Sequence, residues 1–191
     1  MLGLPLLEKA WPARLISPRG GLREELARVF APPIWPVKLP AAEYPAPTAP
    51  VEIGGLRVSW QAVAHPDGCC AYRVDEPATG AGAVVATDVE WAAMTPRAQD
   101  AFALFARGAD LLVFDAHFRP EECAAHRGWG HSSWADAADA ARRCGARTLW
   151  LMHHAPERTD AQIDALAAEA AAAFKGAVCV AAGAEWESGR E

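Results

Sequence analysis

No two cysteines in this chain stand in a Cys-x-x-Cys spacing, and the five present, Cys69, Cys70, Cys123, Cys144 and Cys179, are odd in number. That pattern excludes a zinc ribbon built on such pairs and a fully paired disulfide framework, and it favours free thiols in a reducing, cytoplasmic compartment. Positive charge is also scarce: 18 Lys and Arg stand against 24 Asp and Glu, a net charge of −6 at pH 7. Without clustered cations the chain lacks the electrostatic footprint of a general nucleic-acid binder, so nucleic acid is not an expected partner. A small molecule bearing phosphate stays open, because a bound dication sets the local field whatever the global charge. No apolar run reaches membrane-spanning length and no charged-then-apolar leader opens the sequence, so a soluble protein without a membrane partner is expected.

What is present is enough for a core. With 191 residues, 52% of them hydrophobic, the chain fits one domain over residues 1–191. Leu22, Leu26, Val29 and Phe30 fall on one face of a helix between Gly20 and Phe30. A proline-rich connection then runs from Ala31 to Pro50 and is expected to hold no regular structure. Its apolar Ile34, Trp35, Val37 and Leu39 favour a loop packed on a surface.

From Val51 the pattern turns to strands. Val51-Glu52-Ile53, the Gly54-Gly55 turn and Leu56 to Val63 give a hairpin signal, and Ala71 to Val74 and Ala83 to Thr87 read as two more strands. Thr95 then caps a helix with Pro96 at its first position and Ala101, Phe102, Phe105 and Ala106 on its buried side. Strand Leu111 to Phe114, helix Trp134 to Cys144, strand Thr148 to Met152, helix Ala161 to Phe174 and strand Val178 to Ala181 complete the alternation. Thr159-x-x-Gln162 is a capping box for the last helix. Early strands followed by helix–strand alternation predict sheets packed face to face with helices outside.

Ligand-type residues collect at the ends of these strands. His65 follows Ser59 to Ala64, Asp88 follows Ala83 to Thr87, and His153 follows Thr148 to Met152. Strand ends and their loops form the usual crevice of layered α/β proteins. Imidazole and carboxylate suit Zn²⁺ or Mn²⁺, and a carboxylate bridging two ions would let them share an activated hydroxide. Taken singly, each residue reads more readily as a cap or a satisfied polar group. The ordered set is what points to a metal.

That set resembles the metallo-β-lactamase fold hydrolases, in particular the phosphodiesterase branch related to tRNA 3′-processing nucleases. His65-Pro66-Asp67-Gly68 with Tyr72-Arg73 resembles the family's His-Pro-Gly-Gly…Tyr-Arg segment, Thr87-Asp88-Val89-Glu90 its Thr-Asp-x-Glu segment, and Leu151-Met152-His153 its Leu-Thr-His. The resemblance implies a four-layer αββα sandwich and a divalent metal, zinc first with manganese and iron open. It implies His65, Asp88 and His153, rather than His154, as the metal ligands. It also pairs Asp115 with His131 of the Gly130-His131-Ser132 motif, the carboxylate fixing the imidazole tautomer so that the ring gives a proton to the departing alkoxide of a phosphodiester. A plainer reading, that Asp115 and His131 tie a strand to a helix start, stands beside it.

Three departures qualify the resemblance. The sequence contains no His-x-His-x-Asp-His loop, which in the family precedes a segment like Leu2-Gly3-Leu4-Pro5-Leu6-Leu7 and serves both metals. Ala155 and Arg158 stand where the family has Asp and His. Cys69-Cys70 replaces small or apolar residues and reads as inert strand thiols. The expectation is an N-terminally incomplete family fold of low activity, with an unpaired sheet edge that allows homo-oligomers. The competing expectation is a non-catalytic domain that associates with a partner chain. His117 and His126 are expected to be surface histidines, Trp35, Trp129 and Trp134 packing residues, and Ser132 or Ser133 a helix cap.

Overall fold

The computed structural model describes residues 13–33, 42–43, 45–180 and 184–189, in two compact units, 1–50 and 51–191. The Leu2 to Leu7 segment and Ile34, Trp35, Val37 and Leu39 lie outside the described residues.

In the first unit, helix α1 (Leu22–Val29) begins after Gly21, whose φ of 84° is left-handed. Leu22, Leu26 and Phe30 are half-buried, whereas Val29 is exposed. Strand β1 (Ala13–Arg14) pairs in parallel with β2 (Ala42–Glu43), inside the stretch expected to hold no regular structure. Two residues suffice for such a pairing, and Ala42 and Glu43 fall between Pro40 and Pro45, where no ring removes an N–H.

The second unit is built on a seven-stranded sheet in the order β3 (Val51–Ile53), β4 (Leu56–Val63), β5 (Cys69–Glu76), β6 (Ala81–Ala86), β7 (Leu111–Asp115), β8 (Thr148–Met152) and β9 (Ala177–Cys179). The first four strands form an antiparallel meander, and β6 to β9 are parallel. Each parallel step is bridged by a helix: α2 (Pro96–Phe105), α3 (Trp134–Cys144) and α4 (Asp160–Ala173). Because the strands follow in consecutive order, right-handed crossovers place all three helices on one face. This is the mixed α/β class that the alternation predicts.

Register fixes that face. Val84, Leu112 and Leu149 lie in one row and Ala86, Phe114 and Leu151 in the next, all but free of solvent. Phe102 of α2 meets Trp91 and Phe114 edge-on at centroid distances of 5.5 and 5.8 Å. Buried alanines Ala137, Ala138, Ala140 and Ala141 bring α3 close to the sheet. Ala101, expected on the buried side of α2, is exposed. The burial is carried by Phe102 and Ala106, four apart, with Phe105 at its margin.

The caps explain where the helices begin. Thr95 accepts from Ala98 N at 3.2 Å, with Pro96 following. Ser133 and Asp136 form a capping box at α3, and Thr159 and Gln162 form one at α4. Arg73 closes the far end of α2 by donating to the carbonyls of Phe105 and Arg107 at 2.9 and 3.1 Å. A cation there satisfies orphan carbonyls and complements the helix dipole.

Candidate functional site

Strand direction brings the expected residues to one edge. β4 is antiparallel to β5 and β5 to β6, so β4 runs the same way as β6, β7 and β8. At or just beyond their carboxyl ends stand His65, Asp88, Asp115 with His117, and His153. His131 joins them from the loop before α3.

Asp115 is fully buried and receives four hydrogen bonds. Oδ1 accepts from the backbone N–H of His117 (3.0 Å) and Ser132 (3.3 Å), while Oδ2 accepts from Val89 N–H (3.3 Å) and from His131 Nδ1 (2.8 Å). Burial pushes this carboxyl above its ordinary range, and the His131 bond followed by the backbone donors pulls against that push. Both oxygens already act as acceptors, so His131 carries its proton on Nδ1 and leaves Nε2 free. The His131 side chain is 15% exposed, so the ring is still reached by solvent.

His153 is the one non-glycine residue with left-handed φ, 61°, among the described residues. That conformation costs of order 1–3 kcal/mol unless its surroundings hold it. Here Nδ1 lies 2.6 Å from the Thr87 carbonyl, which only accepts, so this nitrogen is the donor. Asp88 Oδ1 is 3.6 Å away. His154 turns elsewhere, towards the Ala116 carbonyl at 3.3 Å.

His65 packs edge-on to His131, ring centroids 6.0 Å apart. Its Nδ1 is buried without a hydrogen-bond partner among the described residues. An orphan buried nitrogen is costly, and a ligand would relieve it. The free nitrogen of His153 and the carboxylate of Asp88 are further donors of the types that a borderline divalent cation takes. The residues present therefore fit a metal.

The structure adds two histidines to the neighbourhood that sequence reading assigned to the surface. His117 is half-buried and stacks on His131 at 4.5 Å with an interplanar angle of 20°. One ring nitrogen each from His117, His131 and His153 lie within 4.8 Å of one another. His126 is half-buried against Phe118, centroids 4.5 Å apart. Neither placement follows from sequence spacing, because both depend on how the Phe118–Trp129 loop folds back.

Glu90 was also missed. Its buried carboxylate accepts from Gly128 N–H at 2.8 Å and Gly130 N–H at 3.0 Å. Ser132, buried, accepts from Trp91 N–H at 3.0 Å and donates to the Val89 carbonyl. The segment after β6, which carries Asp88, is thus laced to the loop that carries His131. Ser133, not Ser132, is the helix cap. Trp129 is exposed, and Trp134 is half-buried with its indole N–H unpartnered among the described residues. All five cysteines are free thiols. Burial raises Cys69, Cys123, Cys144 and Cys179, the last to about 11, as expected of inert thiols.

Residues 2–154 match a family model described as a beta-lactamase superfamily domain. A 73-residue stretch is 44% identical to a protein named ribonuclease Z from Haloarcula marismortui, covering 38% of this chain and 23% of that protein. The metallo-beta-lactamase fold protein YhfI from Bacillus subtilis superposes with a TM-score of 0.67 at 22% identity, over 89% of this chain and 61% of that one. The short form of human tRNase Z superposes with a TM-score of 0.58 at 20% identity, over 75% and 61%. At such identities the structural likeness shows the fold. The chain spans under a quarter of the curated relative and about three fifths of the solved ones.

Proposed function

This chain belongs to the beta-lactamase superfamily, and we propose that it works there as a metal-dependent hydrolase of phosphodiesters. His65, Asp88 and His153 are the proposed metal ligands, and His131, oriented by Asp115, the proposed proton donor. The observation that carries this reading is the buried Asp115–His131 pair at 2.8 Å, set beside Asp88 and His153 at one sheet edge.

When bound, a divalent ion of the zinc class supplies Lewis acidity and an activated water. The chain's own part is orientation and proton delivery. Asp115 fixes the His131 tautomer, with Nδ1–H donating to the carboxylate and Nε2 left free. A protonated Nε2 donates to the oxygen leaving phosphorus as that P–O bond breaks, so the alkoxide departs as an alcohol. Asp115 also stabilises the imidazolium before transfer. Thr87, through its carbonyl, holds the His153 ring against Asp88.

The substrate is a phosphodiester in a small molecule or in RNA. The names of two matches, ribonuclease Z and tRNase Z, support RNA as a candidate, and the net charge of −6 is too coarse to argue against it. A cytoplasmic setting is part of the same proposal.

Leaving-group dependence tests the reading. Loss of a proton donor harms a poor leaving group far more than p-nitrophenolate. His131→Ala should slow hydrolysis of an alkyl phosphodiester roughly 10²–10⁴-fold while slowing bis(p-nitrophenyl) phosphate much less. Equal slowing of both substrates would remove His131 from that role. No hydrolysis of either by wild-type protein supplied with Zn²⁺ or Mn²⁺ would favour the non-catalytic alternative.

A further inference from the structure

We infer that His117 is a metal ligand, sharing with His153 the ion assigned above and leaving the proton-transfer role to His131. The inference rests on the reading of His153 as a ligand and adds a residue that neither the sequence motifs nor the family resemblance supplies.

Every other polar group of His117 is already committed. Its backbone N–H donates to Asp115 Oδ1 at 3.0 Å, and its carbonyl accepts from Arg158 Nη2 at 3.2 Å. Its Nδ1 lies 2.9 Å from the carbonyl of His153 and must be the donor, because a carbonyl cannot donate. The remaining nitrogen, Nε2, is a neutral lone pair on a ring held from three sides. Metal-bound histidines are commonly oriented in this way, with the second nitrogen donating to a carbonyl or carboxylate. Here the carbonyl is that of the His153 backbone, so the His117 ring is fixed to the residue whose own ring Thr87 holds.

Ring orientation decides which of the three clustered histidines can share an ion. An imidazole lone pair lies in the plane of its ring. His117 and His131 are stacked, 20° from parallel, so an ion in the plane of one lies out of the plane of the other. His153 stands at 77° to His117 and 87° to His131. His153 can therefore share an ion with one member of the stacked pair and not with both in this arrangement. His131, bound to the buried Asp115 carboxylate, holds the proton-transfer role in the proposed function, which leaves His117 as the member of the stack that shares the ion with His153. Ring nitrogens of His117 and His153 lie within 4.8 Å of each other, so these two side chains would hold a zinc-class ion between them. A nitrogen-rich seat of this kind selects zinc-class ions over magnesium or calcium.

The test is a Co²⁺ titration of the full chain, read by visible absorption, with circular dichroism to confirm folding. The variants are His117→Ala, His117→Gln, His131→Ala, His153→Ala and Asp88→Asn. Both His117 variants should bind Co²⁺ at least about tenfold more weakly, with altered bands, and added imidazole should restore binding to His117→Ala. His131→Ala should stay within about threefold of wild type by the same reasoning. If both His117 variants bind as wild type while His153→Ala and Asp88→Asn lose affinity, His117 is not a ligand and the metal reading stands without it. If His131→Ala loses affinity and the His117 variants do not, the other ring of the stack is the ligand and the inference fails. If wild-type chain takes up no Co²⁺, this inference and the metal reading fall together.

Discussion

Gly130 lies flat against the ring of His65: a Cβ on Gly130 would come within 2.3 Å of His65 Cδ2 and 2.7 Å of Nε2. Its φ of 89° is also one that side chains rarely adopt. Sequence position 130 is therefore glycine for two independent reasons, and both concern how the His131 loop meets His65. Gly130→Ala should lower stability by about 1–3 kcal/mol from backbone strain, roughly 3–9 °C in melting temperature. It should also displace the His65 ring, weakening Co²⁺ binding. A variant with wild-type melting temperature and wild-type metal affinity would show that the loop moves aside at no cost.

Glu90 holds that loop with both carboxylate oxygens. Glu90→Gln keeps the size but offers one acceptor in place of two, so an amide NH₂ faces a backbone N–H. An orphaned buried donor costs about 1–3 kcal/mol. Urea unfolding should show that loss, and amide exchange at Gly128 and Gly130 should accelerate more than exchange in α4. Uniform acceleration across the chain would mean that Glu90 supports global stability rather than this loop.

The acid limb of stability has an identifiable contributor. Burial pushes the Glu122 carboxyl up, but the Arg119 backbone N–H at 2.7 Å and the Arg158 guanidinium outweigh it and leave the group below its ordinary 4.5. A depressed carboxyl stabilises the fold fully above the unfolded value, and that stabilisation is lost as pH falls through the folded value. Glu122→Gln should thus be less stable than wild type at neutral pH, with the gap narrowing below 4.5. Melting curves between about pH 3 and pH 7 read this directly. A gap that stays constant across the range would remove Glu122 from the acid response.

Much of this fold was legible because local signals agreed. Helix Trp134 to Cys144 and strand Thr148 to Met152 match the observed bounds, where a cap, a Gly145 stop and an apolar run coincide. The strand-end residues His65, Asp88, Asp115 and His153 were legible for the same reason: once the strands are placed, parallel direction sends their ends to one edge. His117 was not. Its membership depends on ring planes and on a bond to a carbonyl 36 residues away, neither of which leaves a spacing signature. Glu90 was missed likewise, since its partners lie 38 and 40 residues on. Ala101 was misplaced because alanine fits either face of a helix equally well.

Whether this chain holds a metal through His153 is decided by the zinc content of the purified chain after gel filtration, compared with that of His153→Ala. Wild-type protein should carry near-stoichiometric zinc and the variant should lose it, with both proteins folded by circular dichroism. Folded wild-type protein without zinc, or equal zinc in the two proteins, would contradict that reading.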